Sequence, residues 1–214
     1  MLAELQRALE IIYGVSSPQR VEDFVIGQAA LAGLGARVSA SEELLVVSGN
    51  AEIEVGLYVD PELISRLPEL GRGGALEFLD RLLPAFAIAA EGVSHFLYLM
   101  LQATRDRAVS LLELEAQAEV DKFATGVLHL WKHGERRHCS ELRSRLFDRI
   151  GYRAELSGEE HARYAFANHM ARGYAAFLES RFILTGCLEG LLAELRRSYR
   201  LRAGAKYAHL ARHG

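Results

Sequence analysis

The sequence predicts a predominantly helical α+β protein, with a small antiparallel sheet near its N-terminal third followed by a bundle of five or six helices. Three observations carry that expectation. Alternation of apolar with polar or small residues is confined to one stretch, Ile53, Val55, Leu57 and Val59, beside a second β-prone run at Leu44 to Val47. From Asp60 onward apolar residues instead recur at spacings of three and four. Two Ser-x-x-Glu patterns, Ser110 with Glu113 and Ser157 with Glu160, mark helix starts, because hydroxyl and carboxylate can satisfy each other's backbone donors.

Taken in order, "MLAELQRALEIIYG" carries Glu4, Arg7 and Glu10 at helical spacing and reads as a first amphipathic helix. Ser17 as N-cap and Pro18 at the first helical position open a second, short helix with Val21, Phe24, Val25 and Ala29 on one face, ending at Gly33 or Gly35. The hairpin turns at Ser48-Gly49-Asn50-Ala51. Asp60-Pro61 caps a short helix that gives way to the "GRGG" loop at 71–74. Helices then cover Leu76 to Gln102, with a kink at Pro84, and Ser110 to Lys132, Ser140 to Ile150, Gly158 to Phe182 and Leu188 to Arg200. No repeat, low-complexity tract or long linker divides the chain, so residues 1–214 read as one domain.

Half of the 214 residues are hydrophobic and a quarter charged, the composition of a soluble globular protein. Cys139 and Cys187 are too few for a disulfide framework, and the N-terminus lacks the basic start and cleavage site of a signal peptide. The expected location is the cytoplasm. "LLPAFAIAAEGVSHFLYLML" has about the ~20 residues that a bilayer demands, but Glu91 and His95 fall near its centre, where charge is expensive. It reads as a buried core helix, with no membrane partner. Residues 1–130 hold 9 Lys and Arg against 19 Asp and Glu, whereas residues 131–214 hold 16 against 9. The halves can attract each other, or the second can face an anionic partner. Only three basic residues are lysine, the bias of a GC-rich bacterial genome, which weakens arginine clustering as a sign of phosphate binding.

The chemistry centres on "AAEGVSHFLYL". Glu91 and His95 lie one turn apart on an apolar helix, where an unpaired carboxylate is costly, so the pair needs partners or a wet cleft. The next helix is joined by a short loop and is expected to lie antiparallel to the first. It offers Glu115 and Glu119 flanking a stripe of Val109, Leu112, Ala116, Val120, Phe123, Val127 and Leu130, with Lys122 beside Glu119. Imidazole and carboxylates suit zinc, manganese or iron, so His95, Glu115 and Glu119 are candidate ligands of a divalent metal, and Glu91 is a candidate general base. Glu113 is accounted for by its capping box. Tyr164 and Asn168, on a later helix, are candidates to hydrogen-bond to this locus. A buried Glu-His pair can equally serve packing and hydrogen bonding alone.

The stretch Ala90-Glu91-Gly92-Val93-Ser94-His95 resembles the HExxH helix of zincin metallopeptidases with its first histidine replaced by alanine. The upstream hairpin and the "ELEAQAE" helix are similar in order to the gluzincin-like layout. The resemblance implies Glu91 as general base, His95 as second ligand and Glu115 or Glu119 as third. Losing a histidine ligand implies either an altered metal-dependent hydrolase or a zincin-like protein that binds a partner without cutting it.

A second reading comes from the basic half. "WKHGERRHCSELRSRLFDR" and "RRSYRLRAGAKYAHLARHG" interleave basic residues with aromatics, and Arg196, Arg197, Arg200 and Arg202 are candidate anion-binding residues. This describes a non-enzymatic helical interaction module for an acidic protein, a second copy of the chain or nucleic acid. A solvated face or an internal salt-bridging surface is the plainer account of the same charges. No GxSxG elbow, P-loop, dinucleotide fingerprint or CxxC supports serine-hydrolase, nucleotide-binding or thioredoxin-like chemistry.

Overall fold

The computed structural model describes residues 1–33, 41–48, 53–67, 74–148, 151 and 156–213. It is a helical α+β fold: helices account for most of the described chain, and one two-stranded antiparallel sheet lies between 42 and 59. The helices are α1 (Leu2–Tyr13), α2 (Gln28–Gly33), α3 (Pro61–Arg66), the single turn α4 (Ala75–Glu77), α5 (Leu83–Ala103), α6 (Leu111–Lys132), α7 (Cys139–Phe147), α8 (Gly158–Leu178), α9 (Leu188–Arg200) and α10 (Ala203–Ala211). Strand β1 (Glu42–Ser48) pairs with β2 (Ile53–Val59), Glu42 opposite Val59 and Ser48 opposite Ile53. The expected turn residues Gly49 to Ala51, Gly35 and most of the "GRGG" loop lie outside the described residues.

The centre of the molecule is α5 against α6, with α8 packed on α6, α1 across both α5 and α6, and the hairpin on α5. Pairs such as Tyr98 with Glu113 and Glu91 with Lys122 show that the two central helices run antiparallel, as the short connection predicts. Apolar residues of both helices, among them Val93, Phe96, Leu97, Ala116, Val120, Phe123 and Val127, are buried, Phe96 against Phe24 and Phe123 near Phe147. The stretch Ala75–Ala103, the one candidate span among the described residues, has 72% of its most apolar window buried inside the fold. Packing of this helix inside the fold accounts for its apolar composition.

Several local expectations need correction. The second helix is not continuous: a 3-10 turn at Val21–Phe24 and α2 are separated by an isolated parallel bridge between Val25 and Leu57. The cause lies in α1, whose Gln6 accepts from the Val21 N–H (2.8 Å) and donates to the Gln19 carbonyl (2.8 Å), while Glu10 accepts from the Ser17 N–H (3.1 Å). These bonds satisfy the backbone of that segment in a non-helical shape, and Ser17, whose hydroxyl accepts from the Gln19 N–H (3.3 Å), caps no helix. Before Pro84 the chain makes a π turn, Phe78–Leu82, so the irregularity precedes the proline that lacks a helical donor. The tail forms α10, missed because Gly204 and the basic residues obscure its periodicity.

Glu113 departs from its expected role. The Ser110 hydroxyl accepts from the Glu113 N–H (3.2 Å), but the carboxylate turns inward to Tyr98 (2.6 Å) and Arg107 (2.9 Å). The Ser157–Glu160 box is complete in both directions.

Candidate metal centre

Antiparallel packing of α5 and α6 brings the predicted polar residues together. Ligand atoms of Glu91, His95 and Glu115 all lie within 4.8 Å of one another. Glu119 joins them through Lys122, whose ammonium lies 2.9 Å from Glu91 Oε2 and 2.9 Å from Glu119 Oε1. From α8, Arg163 approaches Glu115 (Nε to Oε1, 3.8 Å) and lies over the ring of Tyr164 at 5.4 Å.

Two of these residues gave no signal in the sequence. Arg163 is one, and Glu42 at the start of β1 is the other: its Oε1 lies 3.4 Å from His95 Nδ1. Its approach depends on Gly92, because a Cβ there would lie 2.8 Å from Glu42 Cγ and 3.1 Å from Leu57 Cδ1. A glycine inside an apolar helix is the one available hint, marking a close approach rather than a mere weakness.

The orientation of His95 follows. With Nδ1 turned to Glu42, Nε2 faces Glu115 Oε2 at 3.6 Å, beyond hydrogen-bonding distance, and is buried without a hydrogen-bond partner among the described residues. His95 as a whole is 7% exposed. Burial acts to lower its pKa, but Glu115 and Glu42 outweigh it and raise the pKa well above the usual histidine value. Burial likewise raises the carboxyls of Glu42 and Glu119. For Lys122 burial works downward, and Glu119 and Glu91 reverse it to a raised pKa that keeps the ammonium charged.

Tyr164 lies close enough to this cluster that, after burial, Glu115, Glu91 and Glu42 are the main charges raising its pKa. Asn168, one turn further along α8, is 7% exposed, and its Nδ2 has no hydrogen-bond partner among the described residues. The carboxylate of Glu91 does not stand apart as a general base, since it belongs both to the triad and to the Lys122 pair.

A second buried polar network lies beside the first. Asp121 accepts from Tyr13, from Ser94 (2.6 Å) and from Gln117 (2.8 Å). Lys206, on α10, donates to Gln117 (2.6 Å) and Tyr98 (2.8 Å) and is 0% exposed. Two surface clefts of about 540 and 430 Å³ lie away from both networks, along α1 and the C-terminal part of α6.

The C-terminal arginines have different surroundings. Arg196 donates to the carbonyls of Ile12 (2.9 Å) and Ile11 (3.1 Å), capping the end of α1, an internal role beside the anion binding expected of it. Arg197 is exposed and lies 3.7 Å from Glu194, and Arg200 and Arg202 are exposed. Others of the basic half are paired internally: Arg143 with Glu179, Arg172 with Asp148, and Arg145 with Glu141 and with Asp80 of the acidic half. No protein-family model, curated protein or solved structure matches this chain.

Proposed function

We propose that this protein binds a divalent metal ion through Glu91, His95 and Glu115, in a zincin-like arrangement adapted to binding rather than peptide hydrolysis. The observation that carries the reading is His95. A metal-ligating histidine characteristically gives one ring nitrogen to a carboxylate and the other to the ion. Here Glu42 takes Nδ1 and leaves Nε2 facing Glu115, without a hydrogen bond of its own, in a triad that includes Glu91. One imidazole and two carboxylates suit manganese, iron or zinc, whereas calcium and magnesium favour all-oxygen shells.

The same geometry shifts the register of the zincin resemblance by one residue. In HExxH the two ligands stand four positions apart and the general base follows the first. Glu91 and His95 are four apart, so Glu91 takes the place of the first ligand, Gly92 that of the base, and Glu115 that of the glutamate on the following helix. Gly92 has no side chain to accept a proton, and the space beside it is filled by Glu42. Glu119, the remaining nearby carboxylate, is held by Lys122. This ligand set favours a metal-stabilised binding module over a hydrolase.

Metal content of the purified protein, with thermal unfolding in added Zn²⁺, Mn²⁺ or Fe²⁺, tests the reading. Stoichiometric metal and a raised melting temperature, both lost in His95→Ala, are expected. Absence of binding and of any shift for all three ions overturns it.

A further inference from the structure

We infer that Lys122 is the fixed cation that limits this cluster to one divalent ion, its ammonium standing where a second ion would sit. The inference rests on the metal reading above and concerns how many ions the site accepts. Glu91 is the pivot. Its carboxylate belongs to the triad with His95 and Glu115, and its Oε2 lies 2.9 Å from Lys122 Nζ. On its far side the ammonium meets Glu119 Oε1, also at 2.9 Å. A carboxylate shared between two neighbouring cations, with a further carboxylate on each, is how a two-metal site is built. In this protein one of the two cations is part of the chain.

Charge counting leads to the same number. Glu42, Glu91, Glu115 and Glu119 bring four negative charges to the cluster, and Lys122 and Arg163 return two positive ones. With His95 neutral, as a ligand must be, one divalent ion brings the cluster to zero. A second divalent ion beside the ammonium would leave it strongly positive in a site where Lys122 is 11% exposed and His95 and Glu115 are each 9% exposed at the side chain. Unbalanced charge is costly at that depth, so Lys122 excludes the second ion both by occupying the two carboxylate oxygens and by its charge.

The test is a Mn²⁺ titration by calorimetry and electron paramagnetic resonance of the wild type, Lys122→Ala and Lys122→Arg. The wild type and Lys122→Arg are expected to saturate at one Mn²⁺ per chain. Lys122→Ala is expected to take two, with the spectrum of a spin-coupled pair, because Glu91 and Glu119 then face vacated space. If Lys122→Ala does not fold, Lys122→Gln is titrated instead with the same expectation. Two ions in the wild type, or one in both wild type and the neutral variant, overturns the inference while leaving the metal site standing. A wild type that binds no Mn²⁺, Zn²⁺ or Fe²⁺ overturns the metal reading and this inference together.

Discussion

Glu42 of β1 and His95 of α5 meet across the hairpin–helix interface, with Oε1 3.4 Å from Nδ1, and this contact sets which ring nitrogen faces the carboxylate cluster. The hairpin thereby becomes part of the site rather than a neighbour of it. Glu42→Gln keeps the shape but weakens the carboxylate's hold on the imidazole. Replacing an outer partner of a metal-bound histidine typically costs 10–100-fold in affinity. A loss of about tenfold or more in Mn²⁺ or Zn²⁺ affinity is expected by calorimetry, with the helical circular dichroism unchanged. Equal affinity for variant and wild type would show that Glu42 does not orient His95.

Gly92 makes that contact possible. In Gly92→Ala the new methyl would stand 2.8 Å from Glu42 Cγ and 3.1 Å from Leu57 Cδ1, so either the Glu42 side chain swings away or the hairpin lifts. Overpacking of this kind costs about 1–3 kcal/mol, against roughly 1 kcal/mol gained from alanine's better helix propensity. Net destabilisation in urea unfolding is expected, together with the weakened metal affinity of the Glu42 variant. A stabilised protein with full affinity would mean that the space beside Gly92 yields freely.

Arg196 holds the end of α1. Its guanidinium satisfies the Ile11 and Ile12 carbonyls, two of the acceptors that a helix C-terminus leaves without partners. Arg196→Ala should lower stability by about 1–3 kcal/mol, the range for hydrogen bonds from a charged donor. Its elution from heparin at graded salt should match the wild type. Earlier elution of the variant, at unchanged stability, would return Arg196 to an anion-binding surface.

Local signals in the sequence were sufficient wherever one helix or one cap decided the outcome. The hairpin, the Asp60-Pro61 start, both central helices and α9 follow from period and capping, and the antiparallel pairing of α5 with α6 follows from their short loop. That pairing alone predicts that Glu91, His95 and Glu115 approach one another. Glu42 and Arg163 were illegible because their roles depend on tertiary packing, one from a strand 53 residues away from His95 in sequence and the other from α8. The segment after α1 was misread for the same reason. Gln6 and Glu10 look like ordinary helix-surface residues in sequence, yet their side chains carry the hydrogen bonds that hold Ser17 to Arg20 in a non-helical path. Glu113 shows the converse failure, where a satisfactory local explanation hid a partly buried ion pair with Arg107.

Lys206 gives the fold a pH dependence with a definite sign. Burial lowers its pKa from the ordinary 10.5 to about 7, although Glu113 and Asp121 act to raise it. Between those values the unfolded chain holds a proton that the folded chain has released, so this lysine's contribution to stability rises with pH from about 7 upward. Asp121 behaves oppositely and at lower pH. Burial raises it from 3.8 to about 6, so across that window the folded chain holds the extra proton and stability falls as pH rises. Urea unfolding at intervals from pH 7 to 8.5, below the range where the buried Cys139 thiol adds an opposite slope, should therefore show a rising limb approaching ~1.4 kcal/mol per pH unit, the value for one proton. In Lys206→Met the titrating ammonium is gone, and that limb should flatten. The variant still buries the Gln117 carbonyl and Tyr98 hydroxyl that Lys206 had bonded, so its absolute stability mixes relief of a buried charge with the cost of those lost partners. The slope is free of that mixture, and identical slopes in the two proteins would show that Lys206 remains charged throughout the range.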